Sequence, residues 1–342
     1  MDGTIIGWDV GGAHLKRAVL SADGRLLSVH MAACPLWQGL DRLDEAMAQM
    51  PAAEGRHVAT MTGELTDLWP DRATGVAGLA AALAERLGAC LALYAGPDGF
   101  VTAADAAGNA SGIASANWHA TAAALAAECG SGALVDIGST TTDIICFAGA
   151  QIRCRGYSDA ERLESGELVY SGAVRTPVMA LASHLPFGGR MVPLMAEHFA
   201  TTADVYRLTG QLPDGADLHP TADGGPKTME SSARRLLRMV AADLRPATLG
   251  AAQALAAIAA EVQLHRLHLA LAQVLSANAL PLDAPLLGAG VGRFLVARLA
   301  ERVGRPYRDA GLVLAGTAEL ATAAADCAPA VAVARLALVS RQ

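Results

Sequence analysis

An apolar strand ending in Asp-x-Gly, a short polar turn and a returning apolar strand occur twice in this chain, about 127 residues apart. The first copy runs over residues 4–10, bends at Gly11-Gly12 and returns over 15–20. The second runs over 132–138, bends through Ser139-Thr140-Thr141 and returns over 144–147. A repeat of this period predicts two related halves, each opening with a hairpin tipped by a carboxylate. At 342 residues the chain also exceeds what one hydrophobic core usually fills. Two lobes are therefore expected, 1–130 and 131–342, the second interrupted by a helical insertion around 175–280.

Between the hairpins the pattern predicts a third strand over 26–31, a helix over 39–50, a strand over 57–61, a polar loop over 62–75, a helix over 76–87 and a strand over 89–95. Residues 153–171 read as loop. Residues 231–279 read as nearly continuous helix, broken near Arg245-Pro246 and Gly250. A buried strand over 284–292, a helix over 293–303, a short strand near Leu312 and one last helix complete the expectation.

Composition removes several function classes. With 53% hydrophobic and 17% charged residues, the chain holds enough apolar surface to offset the entropy of ordering, so it folds. Aromatics are only 4%, which leaves Ala, Leu and Val to build the core. A net charge of -7 argues against a surface that tracks nucleic-acid phosphates. The longest uncharged stretch, 106–127, contains Asn109, Ser111, Asn117 and His119, poor material for a bilayer core. No basic run precedes an apolar one at the start, so no signal peptide is expected and the location is taken as cytoplasmic. The six cysteines lack CxxC spacing and are expected as buried free thiols.

Three constellations carry chemistry. In Asp9-Val10-Gly11-Gly12-Ala13-His14-Leu15-Lys16 the paired glycines let backbone N–H groups approach an anion. Asp9 is suited to hold Mg²⁺ through water and Lys16 to neutralise a phosphate; an exposed lysine on a glycine turn is the plainer alternative. Only Lys16 and Lys227 are lysines among 26 basic residues, which suggests positions needing a compact charge rather than a planar guanidinium. In Asp136-Ile137-Gly138-Ser139-Thr140-Thr141-Thr142-Asp143, four hydroxyls between two carboxylates could grip phosphate oxygens, with Asp136 facing the same metal as Asp9. The third, Gly288-Ala289-Gly290-Val291-Gly292, lacks the third position of a dinucleotide fingerprint and reads as a turn beneath part of a ligand. His265 and His268 share metal-compatible spacing without a third ligand, and a surface face is the simpler reading.

Together the three pieces resemble the actin/hsp70/sugar-kinase (ASKHA) superfamily. Over 9–16, 61–72, 115–118, 136–143, 170–177, 200–206, 221–227 and 232–236 the chain more closely resembles the hydantoinase A/oxoprolinase-like proteins of tetrahydromethanopterin-linked one-carbon transfer. The resemblance implies an α/β, two-lobed, ribonuclease H-like fold with a helical insertion and a ligand cleft expected between the two hairpins. It implies a transferase of methanofuran or methylofuran biosynthesis, in which a tyramine- or tyrosine-derived phenol displaces diphosphate from an (aminomethyl)furan-methyl diphosphate. Mg²⁺ on Asp9 and Asp136 would then neutralise the leaving group with Lys16 and Thr140, Thr141 and Thr142. The phenol needs a proton acceptor, for which Glu64 and Asp204 are the alternatives. Arg72, Arg175 and Lys227 are candidate anion contacts, and Asn117 joins the substrate-binding set.

The partners so implied are small molecules, with neither nucleic acid nor membrane, and the long helical region offers a surface for a second copy. Use of ATP stays open, because the late turn lacks an adjacent glycine pair. An ATP-dependent small-molecule kinase or ATP-coupled hydantoinase-type enzyme is the first rival. A non-catalytic, nucleotide-dependent regulator is the second.

Overall fold

The computed structural model describes residues 3–340. Its elements in chain order are β1 (Ile5–Val10), β2 (His14–Leu20), β3 (Leu26–Ala33), α1 (Asp41–Ala48), β4 (Arg56–Met61), α2 (Arg72–Leu87), β5 (Ala92–Tyr94), β6 (Phe100–Thr102), α3 (Ala110–Ile113) and α4 (Asn117–Cys129). There follow β7 (Ser131–Ile137), β8 (Thr142–Ala148), β9 (Gln151–Arg153), α5 (Asp159–Ser165), β10 (Leu168–Val169), β11 (His184–Phe187), β12 (Arg190–Pro193), α6 (Thr202–Leu208), α7 (Met229–Arg238) and α8 (Leu249–Ser276). The last are β13 (Leu286–Ala289), α9 (Phe294–Val303), β14 (Tyr307–Asp309), α10 (Ala310–Ala315), α11 (Ala321–Asp326) and α12 (Ala328–Val339).

The chain divides into two compact units, one made of Met1–Leu134, Ile145–Ala160 and Arg308–Gln342, the other of Val135–Ile144 and Glu161–Tyr307. The first crossing falls four residues from the expected boundary at 130/131. The expected unbroken second lobe reaching 342 is not what the contacts divide, because the terminal segment belongs to the first unit. The physical reason lies in the sheet of that unit, ordered β3-β2-β1-β4-β5-β6. One face carries Ile6, Trp8, Val10 and Leu15 into a core with Val76, Leu79 and Leu83 of α2. Its other face is covered by α12, an apolar helix buried throughout 328–334 and at Ala337, which packs on β1, β2, β4 and α4. Gly7 permits that approach: a Cβ there would lie 2.1 Å from the carbonyl oxygen of Ala330. Removing the terminal helix would expose a whole sheet face, and each large aliphatic side chain so exposed costs about 1.5–3 kcal/mol.

The other sheet is ordered β10-β8-β7-β13-β14, with β9 pairing to β8. In the second unit α8 packs on β11, α6, α7 and α9. By length and composition alone Pro246–Ser276 could cross a bilayer. Its side chain Gln263, however, is fully buried within the unit and fully used: Nε2 donates to the Ser171 hydroxyl (2.9 Å) and the Gly172 carbonyl (2.8 Å), while Oε1 accepts from the Tyr206 hydroxyl. A buried amide in a core helix survives only when satisfied in this way.

Several expected boundaries shift for local reasons. The loop expected over 62–75 instead contains a 3-10 turn at Gly63–Leu65 and the start of α2 at Arg72, capped by Asp71, whose carboxylate accepts the Thr74 N–H at 2.8 Å. Polar residues 153–171 hold α5 and β10, because Arg162 is buried against Asp143 and draws its polar segment inward. Gly250 does not break the long helix; it lies in the first turn of α8, where a glycine interrupts nothing. The strand expected near Leu312 is β14, Leu312 itself lies in α10, and the single last helix is three helices. None of the six cysteines lies in a disulfide; Cys34, Cys146 and Cys327 are buried, whereas Cys90 and Cys154 are exposed.

Candidate functional site

In the first unit the hairpin β1–β2 pairs Asp9 with Lys16, and the parallel neighbour β4 sets Thr60 beside Asp9. Paired strand residues share a face, so these three side chains lie on the side covered by α12, as does Gly7 two residues before Asp9. The Lys16 ammonium stands 3.2 Å from Asp9 Oδ2. Asp9 is only 3% exposed, and its Oδ1 is buried without a partner; the same holds for the hydroxyl of Thr60, which is 0% exposed. Orphaned buried oxygens are uncommon in folded proteins, and a bound water or ion is one way to satisfy them. Gly11 closes the turn by donating its N–H to the His14 carbonyl at 3.0 Å, while the Gly12 carbonyl accepts from Leu36 N–H at 3.0 Å. The thiol of Cys327, at the start of α12, is pushed up to about 12 by burial and stays a neutral thiol.

Glu64 follows β4 in the 3-10 turn and is 1% exposed. Its Oε1 accepts from the Ser115 hydroxyl at 2.9 Å, and its Oε2 is buried without a partner. Burial raises its carboxyl from the ordinary value to about 7, against the opposing effects of local hydrogen bonds and Arg72. This carboxyl therefore changes protonation near neutrality, which suits it to move a proton. Arg72 is held by Asp159 at 2.6 Å. Asn117 is the first residue of α4, and its carbonyl accepts the Thr121 hydroxyl at 3.1 Å.

In the second unit the β7–β8 turn repeats the first hairpin: Gly138 N–H donates to the Thr141 carbonyl at 2.9 Å. Segment 171–175 supports it, with Ala173 N–H on the Gly138 carbonyl (2.9 Å) and Arg175 N–H on the Ser139 carbonyl (2.8 Å). The Arg175 guanidinium reaches Thr140 Oγ1 at 3.5 Å, and burial lowers its pKa. Ser139, Thr140 and Thr141 are half-buried, whereas Thr142 is fully buried and donates its hydroxyl to the Ser171 carbonyl at 2.6 Å, a structural duty. Gly290, at φ +78°, lies against Asp136: an added Cβ would meet Ile137 O at 2.3 Å and Asp136 Oδ1 at 2.5 Å. Gly292 donates its N–H to the Ile137 carbonyl at 2.8 Å. The second and third constellations are thus one neighbourhood. Gly288 differs, since it lies inside β13 and leaves room for the Tyr307 ring.

Two expected site residues lie in ion-pair networks of the second unit. Asp204 Oδ1 accepts from Arg235 Nε (2.9 Å) and Nη2 (2.7 Å) and from Ser232 Oγ (2.7 Å), while Oδ2 accepts Thr201 N–H at 3.2 Å. Its Oδ1 is committed to a buried ion pair with Arg235. Lys227 donates to the Asp217 carbonyl at 2.5 Å and lies 3.5 Å from its carboxylate, beside a pocket of about 420 Å³ shared with Arg207 and Asp214. Arg207 and Lys227 both pair with the Asp217 carboxylate.

Among the described residues no group of three or more His, Cys, Asp or Glu side chains could hold a metal by itself. The oxygen donors fit Mg²⁺ of the kind anchored by one or two carboxylates and completed by phosphate and water. The unpartnered Asp9 Oδ1 is the observation that favours this fit. His265 and His268 do not belong to a metal cluster; His265 is exposed on α8. Sequence reasoning missed Thr60 and Ser115 as site residues. Thr60 was recoverable only from the β1–β4 register, and nothing in the sequence announces the backbone of Ser115, described below.

Comparison with known proteins supplies the relationships. The hydantoinase/oxoprolinase family model matches residues 56–331. The (4-{4-[2-(gamma-L-glutamylamino)ethyl]phenoxymethyl}furan-2-yl)methanamine synthase of Methanocaldococcus jannaschii is 31% identical over 240 residues, covering 70% of this chain and 72% of the relative. The synthase of the same name from Methanococcus vannielii is 33% identical over 111 residues, which are 32% of this chain and 50% of that relative. Among solved structures, an acetone carboxylase matches with a TM-score of 0.55 at 12% identity over 98% of this chain and 70% of its own. A ROK family glucokinase from Streptomyces griseus matches with a TM-score of 0.50 at 13% identity over 98% and 99%. The fold is therefore α/β and of the actin/hsp70/sugar-kinase type, as the resemblance implied.

Proposed function

The chain belongs to the hydantoinase/oxoprolinase family, and from that premise we propose that it is a transferase forming an aryl furfuryl ether in methanofuran or methylofuran biosynthesis. The kinship with the two synthases carries this reading, since the compound in their name contains a phenoxymethylfuran linkage. The substrates are a tyramine- or tyrosine-derived phenol and an (aminomethyl)furan-methyl diphosphate. The phenolic oxygen bonds to the furfuryl carbon, the carbon–oxygen bond to diphosphate breaks, and its electron pair leaves with the diphosphate. The phenolic proton goes to Glu64, directly or across one water.

The residues support that division of labour. Lys16 offers a positive charge for a departing phosphate, and Asp9 holds the ammonium in place through Oδ2. The Ser139–Thr141 turn offers hydroxyls and the Arg175 guanidinium for anion binding. Mg²⁺, for which Asp9 and Asp136 each offer a carboxylate, would supply further neutralisation of the leaving group. Glu64 is the remaining proton acceptor once Asp204 is committed to Arg235. A phenol titrating near 10 loses its proton to a group near 7 only as the new bond forms, so this transfer belongs to the transition state.

The test is incubation of purified protein with Mg²⁺, the furan diphosphate and γ-glutamyltyramine, tyramine or tyrosine, followed by mass spectrometry and a pyrophosphate assay. Ether and pyrophosphate in equal amounts are expected. ADP formed from ATP in step with phosphorylation of a small substrate would replace the reading with the kinase one. Nucleotide-dependent capture of a partner without turnover of any substrate would replace it with the regulatory one.

A further inference from the structure

Ser115 is one of three non-glycine residues with positive φ among those described, at φ +52°, and it is 7% exposed. A serine side chain gains nothing intrinsically from this conformation, and such strain persists where surroundings over-determine it. Here they do. Ala114 N–H donates to the Ala110 carbonyl at 2.9 Å and Ala116 N–H to the Ile113 carbonyl at 3.2 Å. Ala114 also forms a parallel bridge with Met61 at the end of β4. On the far side Trp118, 1% exposed, packs against Tyr157, whose hydroxyl donates to the Gly112 carbonyl at 2.9 Å. The turn is clamped at both ends, and its product is a hydroxyl aimed at Glu64 Oε1, with Oε2 left unpartnered.

We infer that Ser115 is a positioning residue for Glu64, its strained backbone fixing a hydroxyl on Oε1 so that Oε2 is the atom that exchanges the proton. The inference rests on the reading of Glu64 given above and adds which of its two oxygens works and what holds it. A hydrogen bond donated to a carboxylate favours the ionised form, so Ser115 also keeps Glu64 from rising further than its burial would drive it. Arg72, itself bound to Asp159, acts in the same direction from the start of α2.

Two substitutions separate positioning from mere structure. Ser115→Gly removes the hydroxyl and relieves the positive φ; Ser115→Thr keeps the hydroxyl and adds a β-branch where φ is positive. If the inference is right, Ser115→Gly melts at or above the wild-type temperature, yet its Glu64 titration moves up by about one pH unit. Turnover at pH 7 then falls about fivefold, with the acid limb of the rate profile displaced by the same amount. Ser115→Thr melts lower and keeps the wild-type titration. The primary readout is the carboxyl carbon of Glu64 followed by NMR in the ligand-free protein, assigned by comparison with Glu64→Gln, so it needs no catalytic assay. An unmoved Glu64 titration in Ser115→Gly overturns the inference. A moved titration beside an unmoved rate profile upholds the hydrogen bond and overturns the role of Glu64 as proton acceptor.

Discussion

Replacing Glu64 by Gln should change stability in a strongly pH-dependent way. In the unfolded chain this carboxyl titrates near 4.5, whereas in the fold burial carries it to about 7. Below 4.5 both states hold the proton, and the buried group carries no electrostatic penalty. As pH rises toward 7 the unfolded state ionises first, stability is lost, and the loss is complete once the folded group has ionised as well. A displacement from 4.5 to about 7 corresponds to about 3 kcal/mol at the conversion of 1.36 kcal/mol per unit. Gln does not titrate, so Glu64→Gln loses nothing over this window. Whatever fixed penalty the amide incurs at the Oε2 position is the same at every pH and cancels in the comparison. The stability difference between variant and wild type should therefore shift in favour of the variant by about 3 kcal/mol between pH 4.5 and pH 8. Urea unfolding followed by tryptophan fluorescence across that range measures it, with m-values checked for constancy. A difference that stays flat with pH, or moves toward the wild type, would refute the argument that this carboxyl is desolvated.

Other substitutions probe the same surfaces. Thr60→Val preserves shape and removes a buried hydroxyl that has no partner, so the ligand-free protein should gain about 1–3 kcal/mol and melt a few degrees higher. Calorimetric titration with pyrophosphate and Mg²⁺ should nevertheless show several-fold weaker binding; a lower melting temperature with unchanged binding contradicts the assignment. Asp9→Asn and Asp136→Asn should each reduce turnover at least a hundredfold while circular dichroism and melting stay near wild type. Near-normal rates in both would remove the metal role. Asp204→Ala should be destabilising by about 3–5 kcal/mol, since it leaves the fully buried Arg235 with only Asp223 as a carboxylate partner, and poor soluble yield is the expected result. A stable, inactive Asp204→Ala would return that residue to the catalytic list.

The sheets and hairpins were legible because strand alternation and Asp-Gly turns are local signals. The two units were legible in number but not in composition. Nothing local in residues 328–339 says that they cover β1, β2 and β4; an all-round apolar helix declares that it is buried, not where. Buried charge hid the rest. Residues 153–171 look like a solvated loop because Arg162 and Glu167 look like surface residues, yet both are 1% exposed. Asp204 drew attention as a possible base for the same reason, since a sequence does not reveal that Arg235 lies 2.7 Å away.

The duplicated hairpin, the feature most plainly written in the sequence, is where sequence and structure part most instructively. Both turns close by the same bond, from the glycine N–H to a carbonyl three residues on, Gly11 to His14 and Gly138 to Thr141. Aligned on those glycines, Asp9 corresponds to Asp136, but Lys16 corresponds to Asp143. The basic partner of the first copy has become an acid in the second, neutralised by Arg162 from α5. In the first unit the turn carboxylate is buried against an ammonium on its own hairpin; in the second, Asp136 is half-buried and lies against Gly290. Equivalent backbones therefore carry inequivalent charge. Exchanging the lysine for its counterpart, as Lys16→Asp, would set two carboxylates side by side on one face and should abolish pyrophosphate binding. The mirrored change, Asp143→Lys, would face Arg162 with a second cation in a buried place and should unfold the protein rather than create a second phosphate site. If Asp143→Lys folded stably and bound pyrophosphate more tightly, the two hairpins would be interchangeable, and the division of roles argued from their partners would be wrong.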